Sequence, residues 1–228
     1  MGIIVNTVAI AIGGLLGGLF KSKFTFKSNA IFGIGVMLIS AVGAVENLFT
    51  VIDGRLKSED AIPVVIALLI GYLMGELAGI DKRIGKLSST SDGGVNAFID
   101  ATLFFGIGGL QICGPILLAL KGDSSQLYLK SVIDLPFAIM FGTIYGKGVA
   151  ISAIPVGLAQ LAITVAAYFA GPFISDAMIS QVCSIGYIIL FFSGFNLICE
   201  SKHKIKSTNM IPSIILVLLF GIIKQTFI

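Results

Sequence analysis

Charge is scarce in this chain, histidine is nearly absent, and no long polar interval occurs. Only 12% of the 228 residues are charged, roughly half the share of an ordinary soluble domain. The longest polar interval, Gly79 to Val95, is too short to form a soluble domain of its own. The one histidine, His203, excludes every paired-histidine metal motif. It stands in Lys202-His203-Lys204, with Lys206 following, and reads as part of a solvated inner loop near anionic lipid. So few basic residues make no stacking-rich cationic surface, so nucleic acid is not an expected partner. The three cysteines, Cys113, Cys183 and Cys199, lie inside apolar runs without metal-ligand spacing. They read as small buried hydrophobes, and no disulfide is implied. The Gly106–Gly109 run has neither the strand-to-helix context nor the following Lys-Ser/Thr of a phosphate loop. No acid, base and nucleophile converge as an intramembrane enzyme requires. The expectation is a protein that is not an enzyme and carries no cofactor or metal.

Apolar sequence fills the space that is left. Hydrophobic residues make up 56% of the chain and glycine contributes 28 positions, and the mean hydropathy is +1.03. The apolar runs are spread over the whole length, which reads as one integral membrane domain, residues 1–228. The expected fold is an all-α polytopic transmembrane helical bundle of about eight spans, with seven as the runner-up. Their approximate bounds are Ile3–Phe20, Ala30–Glu46, Ala61–Leu77, Ala97–Ala119, Ser131–Gly146, Val149–Ala170, Val182–Cys199 and Ile211–Ile228. The first run has no basic residue before it and lysines after it, so it reads as a retained span rather than a cleaved signal. Between the second and third spans, Asp53–Gly54 marks a turn.

Basic residues orient the spans. The odd-numbered connections hold Lys21, Lys23, Lys27, Lys82, Arg83, Lys86, Lys147, Lys202, Lys204 and Lys206. The even-numbered ones hold only Arg55, Lys57, Lys121 and Lys130. The odd connections are therefore expected on the cytoplasmic side, with both termini outside.

One stretch organises the rest: Asn96 to Leu120, NAFIDATLFFGIGGLQICGPILLAL. Asp100, Phe104, Ile107, Gln111 and Gly114 recur at helical spacing and share one face. Gly106, Gly109 and Cys113 are small enough to admit a neighbouring helix closely. Pro115 interrupts or kinks the run, which makes this the best candidate for a discontinuous helix with freed carbonyls. The first span carries Asn6 and a glycine cluster from Gly13 to Gly18, which suits close packing.

Residues 34–43, IGVMLISAVG, echo residues 185–194, IGYIILFFSG, and each is followed by a similar opening at Ala61 and at Met210. Spans two and three thus echo seven and eight. An offset of five spans would invert one copy in the membrane, with repeat halves near 1–119 and 131–228. Chance matching among Ile, Leu and Gly is the competing explanation.

Ionisable groups inside hydrocarbon cost several kcal/mol unless they face protein, water or an ion. Glu76, Asp100 and Asp134 are candidates for binding a cation or relaying a proton; solvation near helix ends is the alternative. Gln111, Gln160 and Asn196 are neutral candidates that can coordinate an ion through oxygen or simply join helices.

Several stretches taken together resemble the bacterial DUF554 membrane family. They are Asn6-Thr7-Val8-Ala9 with the Gly13–Gly18 cluster, FIDATLFFGIGGLQICGPI from Phe98 to Ile116, Ser131 to Gln160, and GFNLI from Gly194 to Ile198. Many relatives carry a Gly-Ala-Met-like sequence where this chain has Gly108-Gly109-Leu110. The resemblance covers almost the whole chain and implies a multi-pass protein of the bacterial cytoplasmic membrane, with transport as the family's usual label. The expected activity is transport of a small polar solute or ion, coupled to a cation or to protons, with membrane lipid as surroundings. A scaffold or assembly protein and an ion channel are the alternatives. Glycine faces in nearly every span also suit self-association, so a homodimer is expected.

Overall fold

A backbone that crosses lipid must satisfy its own hydrogen bonds, which an α-helix does within one segment. The computed structural model describes residues 1–20, 29–52, 55–58, 61–88, 94–107, 109–199 and 203–227, and most of them are helical. The helices are α1 (Gly2–Leu19), α2 (Asn29–Leu48), α3 (Ala61–Leu77), α4 (Ile80–Ser88), α5 (Gly94–Ile107) and α6 (Leu110–Lys121). They continue with α7 (Ser125–Tyr145), α8 (Gly148–Ile151), α9 (Ala153–Ala170), α10 (Asp176–Ile198) and α11 (Pro212–Phe227). Between α2 and α3, β1 (Thr50–Ile52) pairs antiparallel with β2 (Arg55–Lys57), Ile52 opposite Arg55. The expected turn at Asp53–Gly54 lies outside the described residues.

Among the described residues six helical stretches are long and apolar enough to span a membrane. The count reaches seven when α3 and the first part of α4, bent by 52°, are taken as one span. The third and fourth of the eight expected spans account for the difference. α3 stops at Leu77, and Gly79 follows at φ +63°, the left-handed conformation that ends helices and suits glycine. The fourth expected span is divided: α5 ends at Ile107 and α6 begins at Leu110. The division falls between Ile107 and Leu110 rather than at Pro115, which sits inside α6. Two adjacent glycines cost a helix about 2 kcal/mol relative to alanine. A proline removes one backbone bond but keeps a helical φ, and neighbouring helices re-satisfy what it frees.

The chain folds as two compact units. The first comprises Met1–Ser28, Lys82–Ile107 and Gly114–Tyr168, and the second Asn29–Asp81, Gly108–Cys113 and Phe169–Ile228. In the first unit α7 is the central helix, with 56% of its span buried. Its main partner is α1. Three glycines of α1 fix the register: Gly2 abuts Leu127, Gly13 abuts Ala138 and Gly17 abuts Gly142. Each partner lies 125 residues further on, so α1 and α7 run parallel. Gly14 approaches the backbone of Ala150 so closely that a Cβ would lie 2.5 Å from its amide nitrogen. The opposite side of α1, including Ile4, Val8, Ile12 and Leu15, is exposed and fits a lipid environment.

In the second unit α10 is central, with 61% of its span buried. α2 packs against α10 and α3 against α11, both antiparallel. Gly33 meets Gly194 while Gly43 meets the Tyr187 ring, and Gly71 meets Ser213 while Gly75 meets Asn209. A third crossing joins the start of α6 to α10, where Gly109 and Gly186 touch backbone to backbone. One turn away Cys113 and Cys183 form a disulfide, Cα atoms 5.0 Å apart. This corrects the expectation of no disulfide. Spacing along the chain could not reveal a bridge across 70 residues that depends on two glycines letting the helices meet.

Candidate functional site

The buried face of α1 reads Gly2, Asn6, Ile10, Gly13, Gly14 and Gly17. Five of these six positions are apolar or small, and the sixth is an amide. The parallel register sets Asn6 opposite the stretch of α7 around Ser131. Here α7 departs from expectation. It begins at Ser125, six residues before the expected start, so Lys130 is not a loop residue but part of the helix. Lys130 is 2% exposed and Asp134 4%. The Lys130 Nζ donates to Asp134 Oδ2 at 2.7 Å and to the backbone carbonyl of Phe105 at 3.0 Å.

That carbonyl is available because of the break in the fourth span. In a continuous helix the oxygen of residue 105 would accept from the amide of residue 109. α5 instead ends at Ile107, and Gly109 begins α6 by accepting from Ile112 and Cys113. Unsatisfied carbonyls at a helix C-terminus carry partial negative charge and favour a cation. Lys130 supplies it.

Asn6 is fully buried, and its side chain lies beside the Asp134 carboxylate. Neither of its amide atoms has a partner in hydrogen-bond geometry. Aromatic rings close the α5–α7 interface next to the pair: Phe104 packs on Phe137 at 5.1 Å and on Phe141 at 4.8 Å, and Phe105 on Phe141 at 6.0 Å. Such walls exclude water and strengthen the electrostatics within.

The pair makes a poor stabilising device. Lysine preceding aspartate by four residues is the less favourable order for a helix. Two charges also lose more hydration on burial than their attraction reliably returns. An apolar pair would fill the same space at lower cost.

The other sequence-derived candidates are distributed as follows. Gln160, fully buried, lies on the face of α9 whose Gly157 meets Thr7 of α1. Asp100 lies in α5, with its side chain outside the described residues. Gln111, buried on α6 between Gly109 and Cys113, belongs to the second unit. So do Glu76 and Asn196, which take part in a network at one end of that unit. Glu76 is exposed and pairs with Lys206 at 2.7 Å, which raises the lysine's pKa above its ordinary value through the hydrogen bond and the charge. Asn196 clamps the backbone of Ile205 with two bonds, of 2.7 and 2.8 Å. Asp81 continues the network, its amide donating to Asn209 and its carboxylate accepting from Thr208. These contacts hold the segment before α11 and need no ligand to explain them.

Lys130 and Asn6 are the residues that sequence reasoning did not assign to the site. A signal for Lys130 was present: Lys130 and Asp134 are one helical turn apart, and Leu127 and Ser131 extend the α7 periodicity toward Ser125.

Compared with known proteins, residues 1–222 match the family model described as "Protein of unknown function (DUF554)". The chain is 28% identical to "Uncharacterized membrane protein YdfK" of Bacillus subtilis over 217 residues, covering 94% of this chain and 93% of that protein. It is 24% identical to "Uncharacterized protein YqgA" of Escherichia coli over 238 residues, covering 95% and 94% respectively. No solved structure matches.

Proposed function

The chain belongs to the DUF554 family of bacterial membrane proteins, and from that premise we propose that it transports a small polar solute or ion across the cytoplasmic membrane by alternating access, coupled to a cation or to protons. The observation that carries this reading is the Lys130–Asp134 pair, buried in a long apolar helix and bonded to a carbonyl at a helix break. Intramembrane charges of this cost mark ion or proton pathways. Broken helices that present carbonyls beside such charges belong to the same architecture.

The helix pairing supports alternating access. α2 echoes α10 and α3 echoes α11 in sequence, and these are the helices that pair antiparallel. Contacts follow the echo: Gly43 meets Tyr187, and Val36 meets Gly194, the same contact with the two copies exchanged. α1 begins at Gly2 and α9 at Ala153, each with 18 residues, at the same 151-residue offset. On this reading the chain is an inverted repeat of eight spans. α5 and α6 together form the fourth, and the two copies trade conformations as the site opens to alternate sides.

Flux into liposomes tests the proposal. Monovalent cations and small anions are screened with and without a proton gradient, comparing wild type with Asp134→Asn and Asp100→Asn at equal reconstituted amounts. Coupled flux in the wild type, lost in folded Asp134→Asn, is the expected result. No movement of any solute by verified, folded protein would favour a scaffold, and uncoupled flux through a continuous pore a channel.

A further inference from the structure

One stripe of α7 carries both the buried ion pair and a run of rings. Lys130, Asp134, Phe137, Phe141 and Tyr145 follow at steps of four, three, four and four residues, so they share a face. The stripe leads from the interior to the surface: Asp134 is 4% exposed and Tyr145, at the end of α7, 41%. α5 covers it. The Phe105 carbonyl holds Lys130, and the Phe104 ring meets the rings of Phe137 and Phe141. Phe141 leads on to Tyr145, with ring centroids 5.9 Å apart. A continuous column of rings therefore separates the ion pair from the exposed end of α7.

We propose that the seam between α5 and α7 is the route by which a solute or ion reaches the Lys130–Asp134 pair, and that the Phe104 ring, closed on Phe137 and Phe141, is its cytoplasmic gate. The side follows from the basic residues, which assign the Tyr145 end of α7 to the cytoplasm. The gate rests on the transport reading and supplies its moving part.

The two sides of α7 differ in what they allow. Toward α1 the contacts are between small residues: Gly13 abuts Ala138 and Gly17 abuts Gly142. Such contacts have no side chain to rotate. Toward α5 the contacts are between rings in tilted and edge geometries. Rings part by rotation about side-chain torsions, without a shift of either backbone. Phe104 also stands three residues before the end of α5 at Ile107, in a last turn whose carbonyls no further turn holds. Local opening is cheapest at such ends. A plug of apolar rings stops water and ions by dewetting and needs no charge of its own. With the ring shut, Asp134 is kept from the cytoplasm; with the ring swung out, Asp134 meets it.

Access to Asp134 is measured in inside-out and right-side-out membrane vesicles carrying the full chain. An impermeant quaternary carbodiimide is added with glycine ethyl ester, and peptide mass spectrometry counts the Asp134 amides formed with the ester or with Lys130. From the cytoplasmic face wild type should react slowly. Phe104→Ala and Phe141→Ala should raise that rate several-fold without a rise from the outer face, and Phe104→Leu should fall between. Phe191→Ala, which removes a ring from α10, should change nothing. A ring that only fills space need not move, so movement is tested separately. Phe104→Cys with Phe141→Cys, in a Cys199→Ser background, is bridged by a short reducible bifunctional thiosulfonate. The unbridged protein should react fast, bridging should stop the reaction, and reductant should restore it. Should the alanine variants fail to fold, the bridge carries the test alone. Unchanged reaction in both folded alanine variants, an equal rise from both faces, or reaction that persists in the bridged protein overturns the gate. Liposome flux unaffected by the bridge would remove the gate and leave transport standing. A bridge that stops the reaction in a protein without flux would keep the gate and remove transport.

Discussion

At the scale of single residues, Lys130 and Asp134 depend on each other. Removing one leaves the other charged and buried, at a cost of about 3–5 kcal/mol. Asp134→Ala should therefore lower folded yield and thermal stability in detergent. The double variant Lys130→Met with Asp134→Leu removes both charges and fills the space, so it should recover most of that stability while remaining without coupled flux. A double variant as unstable as the single one would mean the charges themselves hold the fold. Asp134 was legible in the sequence because an acid inside an apolar run is conspicuous. Lys130 was not, because a lysine at the edge of an apolar run looks like the end of a span, and only the start of α7 at Ser125 puts it inside. The same shift takes Lys130 out of the non-cytoplasmic count of basic residues and so strengthens the charge asymmetry. Asn6 was visible as a polar residue in a glycine-rich span. Its closeness to Asp134 came only with the parallel register.

At the scale of elements, glycine decides where helices meet. Gly109 lies directly on Gly186, and a methyl group there would overlap the Gly186 backbone. Gly109→Ala should push α6 away from α10 and separate Cys113 from Cys183. Thiol alkylation after denaturation, read as a mobility shift, should show two additional free cysteines in much of the population. Gly35 has open space around its Cβ position, so Gly35→Ala should leave the disulfide intact and stabilise α2 by up to about 1 kcal/mol. Equal disulfide content in the Gly109 variant would refute this account of the crossing. The long apolar helices were legible from hydropathy, since length and composition suffice to define them. The short charged α4 was not: its Ile80, Ile84 and Leu87 make too small an apolar face to stand out inside a polar interval. The break between Ile107 and Leu110 was not legible either, because a proline inside an apolar run is the more conspicuous breaker, whereas paired glycines also suit close helix packing.

At the scale of the whole chain, an alternating series of eight spans would have α1 and α7 cross the membrane in the same direction, and α2 and α10, and α3 and α11, in opposite directions; the first pair packs parallel and the other two antiparallel. The basic residues add the expectation of which side is cytoplasmic. Cysteines introduced at Ser124 and Lys204 should accordingly react with impermeant maleimide from opposite faces of the membrane. Labelling of both from one face would invert half the topology. The parallel pairing of α1 with α7 also sets a schedule for biogenesis. The partner of each α1 glycine is made 125 residues later, which at ribosomal rates of about 5–20 residues per second is a delay of roughly 6–25 seconds. Throughout that interval the N-terminal helix sits in the bilayer with Asn6 and its glycine groove unfilled. A nascent chain stalled before Ser125 should therefore leave its first helix open to whatever membrane chaperone or protease can grip a polar notch in lipid, a hazard that ends only when α7 arrives.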